Sequence, residues 1–394
     1  MIVIRIMLVV LVCSLIFIGS CAMGNNPAAP PAENGTVSNG NGSYYSGIYP
    51  SAATLSGSRY SQSEADRRVR EAWAYFKAEL LKSTGAVWRT DDDTVVSEGQ
   101  SYGMMLAVQN NDKESFDNIW SWTKTHMQAG NSLGLFAWKC SLNGDVIEST
   151  SAPDADVMIA LALFFASHRF GDRSAPYDYS VQAKEICSRI LGHTVTEDNY
   201  LAFCSENLTW FDSSYQMPSH FRLFARYTGD DRWNQVASRS YDLIFACLKS
   251  EYGNTSNGLV PDYCNKDGSL RSSGQYFYYD AVRTPYFLGL DQVWFGDDSR
   301  SRTYLSKIYG FFGPIYDSFG DKYTLNGEKL SSYHVASWIG SLTGGAMGGT
   351  NNTYKVNFFN HLLDRDPPSG KYRYYDICWL NFGLLLSSGN FRIY

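Results

Sequence analysis

No CxxC pair, no HExxH and no glycine-rich phosphate loop occurs anywhere in the chain. That excludes the common sequence signatures of zinc fingers, zinc proteases and nucleotide-binding loops. Basic runs are absent and the net charge is −6, which argues against a nucleic-acid partner. Charged residues are only 18% of the chain, and strand-like alternation is scarce. One apolar run stands out, from Met7 to Ile18, too short to read as a membrane span. With Arg5 before it and Gly19-Ser20-Cys21 after it, residues 1–21 read as a signal peptide.

Ile18-Gly19-Ser20-Cys21 resembles a bacterial lipobox, whose cysteine is lipidated after cleavage; the alternative is an ordinary signal peptide with an incidental cysteine. The expected address is export, as a cell-surface or periplasm-facing lipoprotein or else as a secreted protein. Any membrane contact would run through the N-terminal lipid alone. Residues 22–57, rich in Asn, Gly, Pro, Ala and Ser, cannot offset ordering entropy by burial and read as a flexible tether. The remaining chain, 58–394, reads as one catalytic domain, expected to be monomeric. Six cysteines lie beyond Cys21. Mostly buried free thiols are expected, with Cys204 and Cys264 in loop-like text the first to be tested for bonding.

What the chain does have is aromatic residues, with 28 Tyr, 22 Phe and 10 Trp. Sugar rings present apolar C–H faces that stack on such rings. Helical signals dominate the domain. Ser61 with Glu64 reads as a capping box, opening a helix through Lys82. Further helices are predicted over 99–109, 113–127, 156–168 and 179–191, near 218, 233, 281, 300 and 335, and over 375–386. Trp122 falls off the apolar stripe of the third. The 156–168 helix is apolar nearly all round and must be buried, whereas others are amphipathic. Periodicity alone supports an all-α fold; two concentric layers point further, to an (α/α)6 barrel, a toroid of six inner and six outer helices with its site at one end.

Three stretches carry carboxylates among aromatics. In Ser97-Glu98-Gly99-Gln100-Ser101-Tyr102, an acid beside glycines and aromatics is expected to hold its proton, because burial penalises the charged form; a helix-start carboxylate bonded to backbone N–H groups would do the opposite. In Ala152-Pro153-Asp154-Ala155-Asp156, either aspartate is a candidate helix cap, or Asp154 grips a sugar ring. In Tyr279-Asp280-Ala281-Val282-Arg283, the spacing puts acid and arginine on one helical face. A protonated acid facing an ionised one is the pairing that glycoside hydrolysis uses. Among the histidines, His334 is a candidate for a sugar hydroxyl, and His168 and His220 read as structural.

These stretches resemble glycoside hydrolase family 8. Ser97 to Met104 is similar to its acid motif, Ser151 to Arg169 to its second signature, and Tyr279 to Pro285 to its base motif. Asp212-Ser213-Ser214-Tyr215 with Pro218 resembles a further segment, with Ser213 in place of proline, and Tyr374-Tyr375 through Phe391 matches the family's end. The resemblance implies an (α/α)6 barrel and inversion at the anomeric carbon. It implies Glu98 as general acid, Asp280 as general base and Asp154 on the sugar at the cleavage point. Tyr215, Tyr279 and Arg283 would shape the water and the base, Trp138 would be a stacking platform, and Tyr102, His334 and Tyr375 would complete the substrate contacts. No metal or other cofactor is implied.

The implied partner is a β-1,4-linked polysaccharide or oligosaccharide, xylan ahead of β-glucan. Tyr333-His334-Val335 lacks the proline of the Leu-His-Pro segment found in the family's reducing-end exo-oligoxylanases, which favours an open, endo-acting groove. Rival readings are an endoglucanase or lichenase, such an exo-oligoxylanase, a lyase on a similar toroid, and a glycan-binding lipoprotein without catalysis.

Overall fold

The computed structural model describes residues 49–52 and 54–394. Twelve α-helices are present among them: α1 (Gln62–Glu79), α2 (Ser97–Gln109), α3 (Lys113–Trp122), α4 (Pro153–Phe170), α5 (Tyr179–His193), α6 (Pro218–Thr228), α7 (Arg232–Ala246), α8 (Arg283–Trp294), α9 (Ser299–Phe312), α10 (Ala336–Ala346), α11 (Asn352–Leu363) and α12 (Arg373–Ser387). Their order in space follows from which ones touch. Each even-numbered helix packs on the next even one, and α12 closes the ring on α2. Each odd-numbered helix packs outside, α1 on α12, α3 on α2, α5 on α4, α7 on α6, α9 on α8 and α11 on α10. The domain is an (α/α)6 barrel.

The sequence dictates which helices lie inside. α2 and α4 bury residues on every side, so no stripe separates core from solvent. The outer α5 and α7 alternate buried and open positions at helical spacing, as a helix with one wet face must. The capping box at Ser61 forms as read, with Glu64 accepting from the Ser61 backbone N–H at 2.7 Å.

Glycine sets how closely the inner helices approach. A Cβ on Gly340 of α10 would stand 2.1 Å from the Trp379 carbonyl oxygen of α12, and one on Gly383 of α12 would stand 2.5 Å from the Gly340 Cα. Only hydrogen fits at that crossing.

Several expectations change here. Residues 49–52 and 54–57, assigned to the tether, belong to the domain: Ala52 and Leu55 are buried, and the Ala52 N–H donates to Gln62 at 2.9 Å. Two apolar residues in a polar stretch are invisible to an average over composition. The signal peptide, the lipobox and residues 22–48 of the tether lie outside the described residues.

Trp122 is buried; the third helix continues past it as a π-helical turn over Thr123–Gln128, whose His126 ring sits 4.7 Å from the indole. α11 was not anticipated; its start is capped by Asn351, which accepts from the Tyr354 N–H at 3.2 Å, inside a Gly and Asn stretch that reads as loop. Two small sheets also appear, β1 (Thr94–Val96), β2 (Lys139–Ser141) and β3 (Val146–Glu148) in one, β4 (Phe211–Asp212) and β5 (Tyr263–Cys264) in the other. Such two- and three-residue strands are too short to show alternation.

The six described cysteines are free; Cys264 lies in β5 rather than a loop and is buried, and Cys204 is half-buried. His220 is fully buried beside the Ser219 hydroxyl, and burial pushes it down to about 3. Among the described residues no helix is long and apolar enough to cross a membrane.

The glycine crossing gives a stability test. Gly340→Ala forces α10 and α12 apart, an overpacking that costs about 1–3 kcal/mol. The melting temperature by circular dichroism is expected to fall by several degrees, roughly 2–4 °C per kcal/mol for a large domain. An unchanged melting curve would contradict the close approach.

Candidate active site

Every inner helix begins at the same end of the barrel as its neighbours' chemistry-bearing residues. Glu98 is the second residue of α2, Asp154 the second of α4, Arg283 the first of α8 and Tyr375 the third of α12. Asp280 stands three residues before Arg283, and Tyr215 lies in the turn entering α6. Helix N-termini gathered in this way favour negative charge, though each contributes only about 0.3–1 kcal/mol.

A cleft of about 710 Å³ opens over this end. Glu98, Asp280, Arg283, Tyr102, Tyr279 and Tyr375 all line it, so six of the ten residues singled out from the sequence share one cavity. Glu98 is partly open to the cleft, but the protein around it strips enough water to lift its carboxyl from 4.5 to about 7. The negative charge of Asp154 adds to that rise, and the Arg283 guanidinium opposes it. Desolvation outweighs the helix terminus, because the dipole contribution is small beside a change of this size.

Arg283 is the centre of the arrangement. It is 2% exposed. One terminal nitrogen, Nη1, donates to Asp154 Oδ2 at 2.9 Å and to the Tyr102 hydroxyl at 3.2 Å; the other, Nη2, donates to Asp280 Oδ1 at 2.6 Å. Asp212 Oδ2 stands 4.0 Å from Nη2, and the Tyr215 ring lies under the guanidinium at 5.8 Å. The fork geometry of an arginine lets one cation hold two carboxylates in fixed orientation. Tyr279 donates its hydroxyl to Asp321 at 2.8 Å, and Tyr375 donates to the Tyr279 carbonyl at 2.8 Å.

Four predicted residues lie elsewhere. Asp154 is 2% exposed, behind the guanidinium. Its oxygens accept from Arg283 and from the Ala155 N–H at 2.9 Å, so it supports the cleft floor where a grip on a sugar ring was expected. Tyr215 is buried, stacked on Phe203 at 5.7 Å. Trp138 does not line the cleft; its indole donates to Glu148 at 3.1 Å, and its carbonyl accepts the Ser97 N–H at 2.9 Å, which fixes the start of α2. His334 is turned away from the cleft, with Nδ1 against the Phe319 carbonyl at 2.8 Å and Nε2 against His361 Nε2 at 2.8 Å. Spacing alone could not tell which side of its loop the ring would take.

Among the described residues, seven tyrosines and no tryptophan line the cleft, so its aromatic walls are phenols. Tyr333 and Tyr372 are 73% and 74% exposed on its rim. These two, with Asp321, Asp376 and Arg89, escaped the sequence reading: Tyr372, Asp321 and Arg89 have no motif around them, and Tyr333 and Asp376 lie beside His334 and Tyr375, the residues singled out in their segments. Among the described residues no group of three or more His, Cys, Asp or Glu is arranged for a metal ion.

The raised Glu98 has a thermodynamic consequence. Its proton is held more tightly folded than unfolded, so its contribution to stability falls as pH rises from about 4.5 to about 7. Glu98→Gln removes that penalty. Urea midpoints are expected to match the wild type at pH 4 and to exceed it at pH 8; equal midpoints at both would contradict the raised value.

The match to "Glycosyl hydrolases family 8" spans residues 42–389. The chain is 34% identical over 390 residues to the reducing-end xylose-releasing exo-oligoxylanase Rex8A of Paenibacillus barcinonensis, covering 90% of this chain and 99% of that protein. It is 33% identical over 365 residues to endoglucanase C of Ruminiclostridium cellulolyticum, covering 88% and 76%. The solved structure of Rex8A complexed with xylose superposes with a TM-score of 0.80 at 30% identity, over 90% of this chain and 99% of that one. With the likeness running from before α1 to the end of α12, and an acid that keeps its proton facing into a tyrosine-walled cleft, the chain belongs to glycoside hydrolase family 8.

Proposed function

We propose that this enzyme hydrolyses β-1,4-linked plant polysaccharide within the chain and with inversion, xylan ahead of β-glucan. The observation that carries the reading is the shared cleft: Glu98, with its proton held to about 7, and Asp280 both line it. Glu98 donates that proton to the glycosidic oxygen as the bond breaks. Asp280 takes a proton from the water that attacks the anomeric carbon from the opposite face, so the configuration inverts. Arg283 orients Asp280 through Nη2 and is itself held by Asp154 and Tyr102. Tyr279, Tyr375 and the exposed rim tyrosines supply faces for sugar rings.

Support for endo action comes from Tyr333, whose ring stands in solvent at the rim. The exo reading, release of xylose from reducing ends, is favoured by the names of relatives such as Rex8A; endoglucanase C speaks for a glucan. We further propose export with a lipid on Cys21, supported by the apolar run and the Ile18–Cys21 segment of the sequence.

Product analysis on xylan, carboxymethyl-cellulose, lichenan and xylo-oligosaccharides separates these readings. A ladder of xylo-oligosaccharides is expected; xylose alone from short oligomers would refute endo action. The rate kcat/KM is expected to fall as pH rises through about 7, where Glu98 loses its proton. Glu98→Gln is expected to lose at least about 100-fold in kcat while retaining binding. Full turnover in that variant would remove Glu98 as the acid. Cys21→Ala is expected to move the protein from the membrane to the soluble fraction; membrane retention would rule out the lipid.

A further inference from the structure

We propose that Asp262 and Tyr263 form a clamp on the base, with Tyr263 as a positioning residue that fixes the carboxylate of Asp280. The inference rests on Asp280 acting as the base. Arg283 holds only one oxygen of that carboxylate, Oδ1. The other, Oδ2, accepts from the Tyr263 hydroxyl at 2.7 Å. A carboxylate bonded on one oxygen still turns about its Cβ–Cγ bond. Bonded on both, from an arginine on α8 and a tyrosine on β5, it cannot, and the lone pair left on each oxygen has a fixed direction.

The strand supplies the second half of the clamp. Asp262, the residue before β5, and Tyr263, its first residue, grip the same loop by different means. Asp262 Oδ1 accepts from the Tyr278 N–H at 3.1 Å and the Ala281 N–H at 2.8 Å, which pins the backbone on both sides of Asp280. Tyr263 then reaches the side chain.

The tyrosine is itself held. Its ring meets Phe203 edge-on at 5.3 Å and Trp210 at 5.4 Å, and its N–H donates to the Gly274 carbonyl at 3.0 Å. Gly274, at φ +68°, leaves the ring its room: a Cβ there would lie 2.2 Å from Tyr263 Cδ2. Burial and the neighbouring carboxylates push the phenol upward, so it stays a donor through the working pH range.

Tyr263→Phe keeps the ring in its cage and removes only the hydroxyl; Tyr263→Leu removes the ring as well. Kinetics are measured on a xylo-oligosaccharide, or on whichever substrate the wild type hydrolyses, with folded protein quantified by circular dichroism. For Tyr263→Phe, kcat is expected to fall about tenfold, within the range for a mispositioned acid–base group, with KM within about twofold.

A wild-type kcat in Tyr263→Phe, with loss only in Tyr263→Leu, would make the residue a packing group and overturn the proposal. A raised KM at unchanged kcat would make it a sugar contact, and would overturn it equally. If the wild type hydrolyses none of the glycans, or Asp280→Asn matches it, the assignment of the base falls first and the clamp with it. If those controls hold, only the clamp is at stake.

Discussion

A single buried cation holds the catalytic end of this barrel together. Arg283 joins Asp154 on α4, Asp280 before α8 and Tyr102 on α2 through three hydrogen bonds. Taking a guanidinium out of water is expensive, and only well-oriented carboxylates compensate for it. Two ion pairs shorter than 3 Å do so here. The same bonds decide the geometry of the cleft, because they tie three inner helices to one planar group. A lysine could not replace it, since an ammonium lacks the fixed fork.

Around that cation the acids divide by environment. Glu98 faces the cleft without a hydrogen bond of its own to the arginine, and desolvation sets its proton affinity. Asp154 is also raised, first by burial, while the arginine pulls it back. Asp212 and Asp262 are lifted by burial too, yet Asp212 accepts the Ser214 N–H and hydroxyl, Asp262 accepts two backbone N–H groups, and each serves as a brace. Identical side chains therefore take different tasks according to whether they face the cleft or the chain.

Much of this was legible beforehand. The uniform apolar run of α4 announced an inner helix, and the capping box at Ser61 placed the start of α1 within a residue. Asp280 stood out because it follows a run of aromatics and Glu98 because glycines, a tyrosine and methionines follow it, and the three-residue step from Asp280 to Arg283 survives as a real ion pair. Trp138, Tyr215 and His334 did not reach the cleft, for their side-chain directions depend on partners far away in sequence: Glu148, Phe203 and His361. Tyr263 gave no signal at all. Nothing local separates it from the other tyrosines until β5 pairs with β4 and carries it to Asp280.

The amino-acid order alone determined the helical period, the caps, the inner and outer faces and the acids that burial would perturb, because these depend on neighbours within a few turns of chain. Which oxygen meets which donor was decided only when six inner helices closed into a ring. Residues 129 positions apart, such as Asp154 and Arg283, come within hydrogen-bond reach through the packing of other elements, and packing over such separations leaves no periodic trace in the sequence.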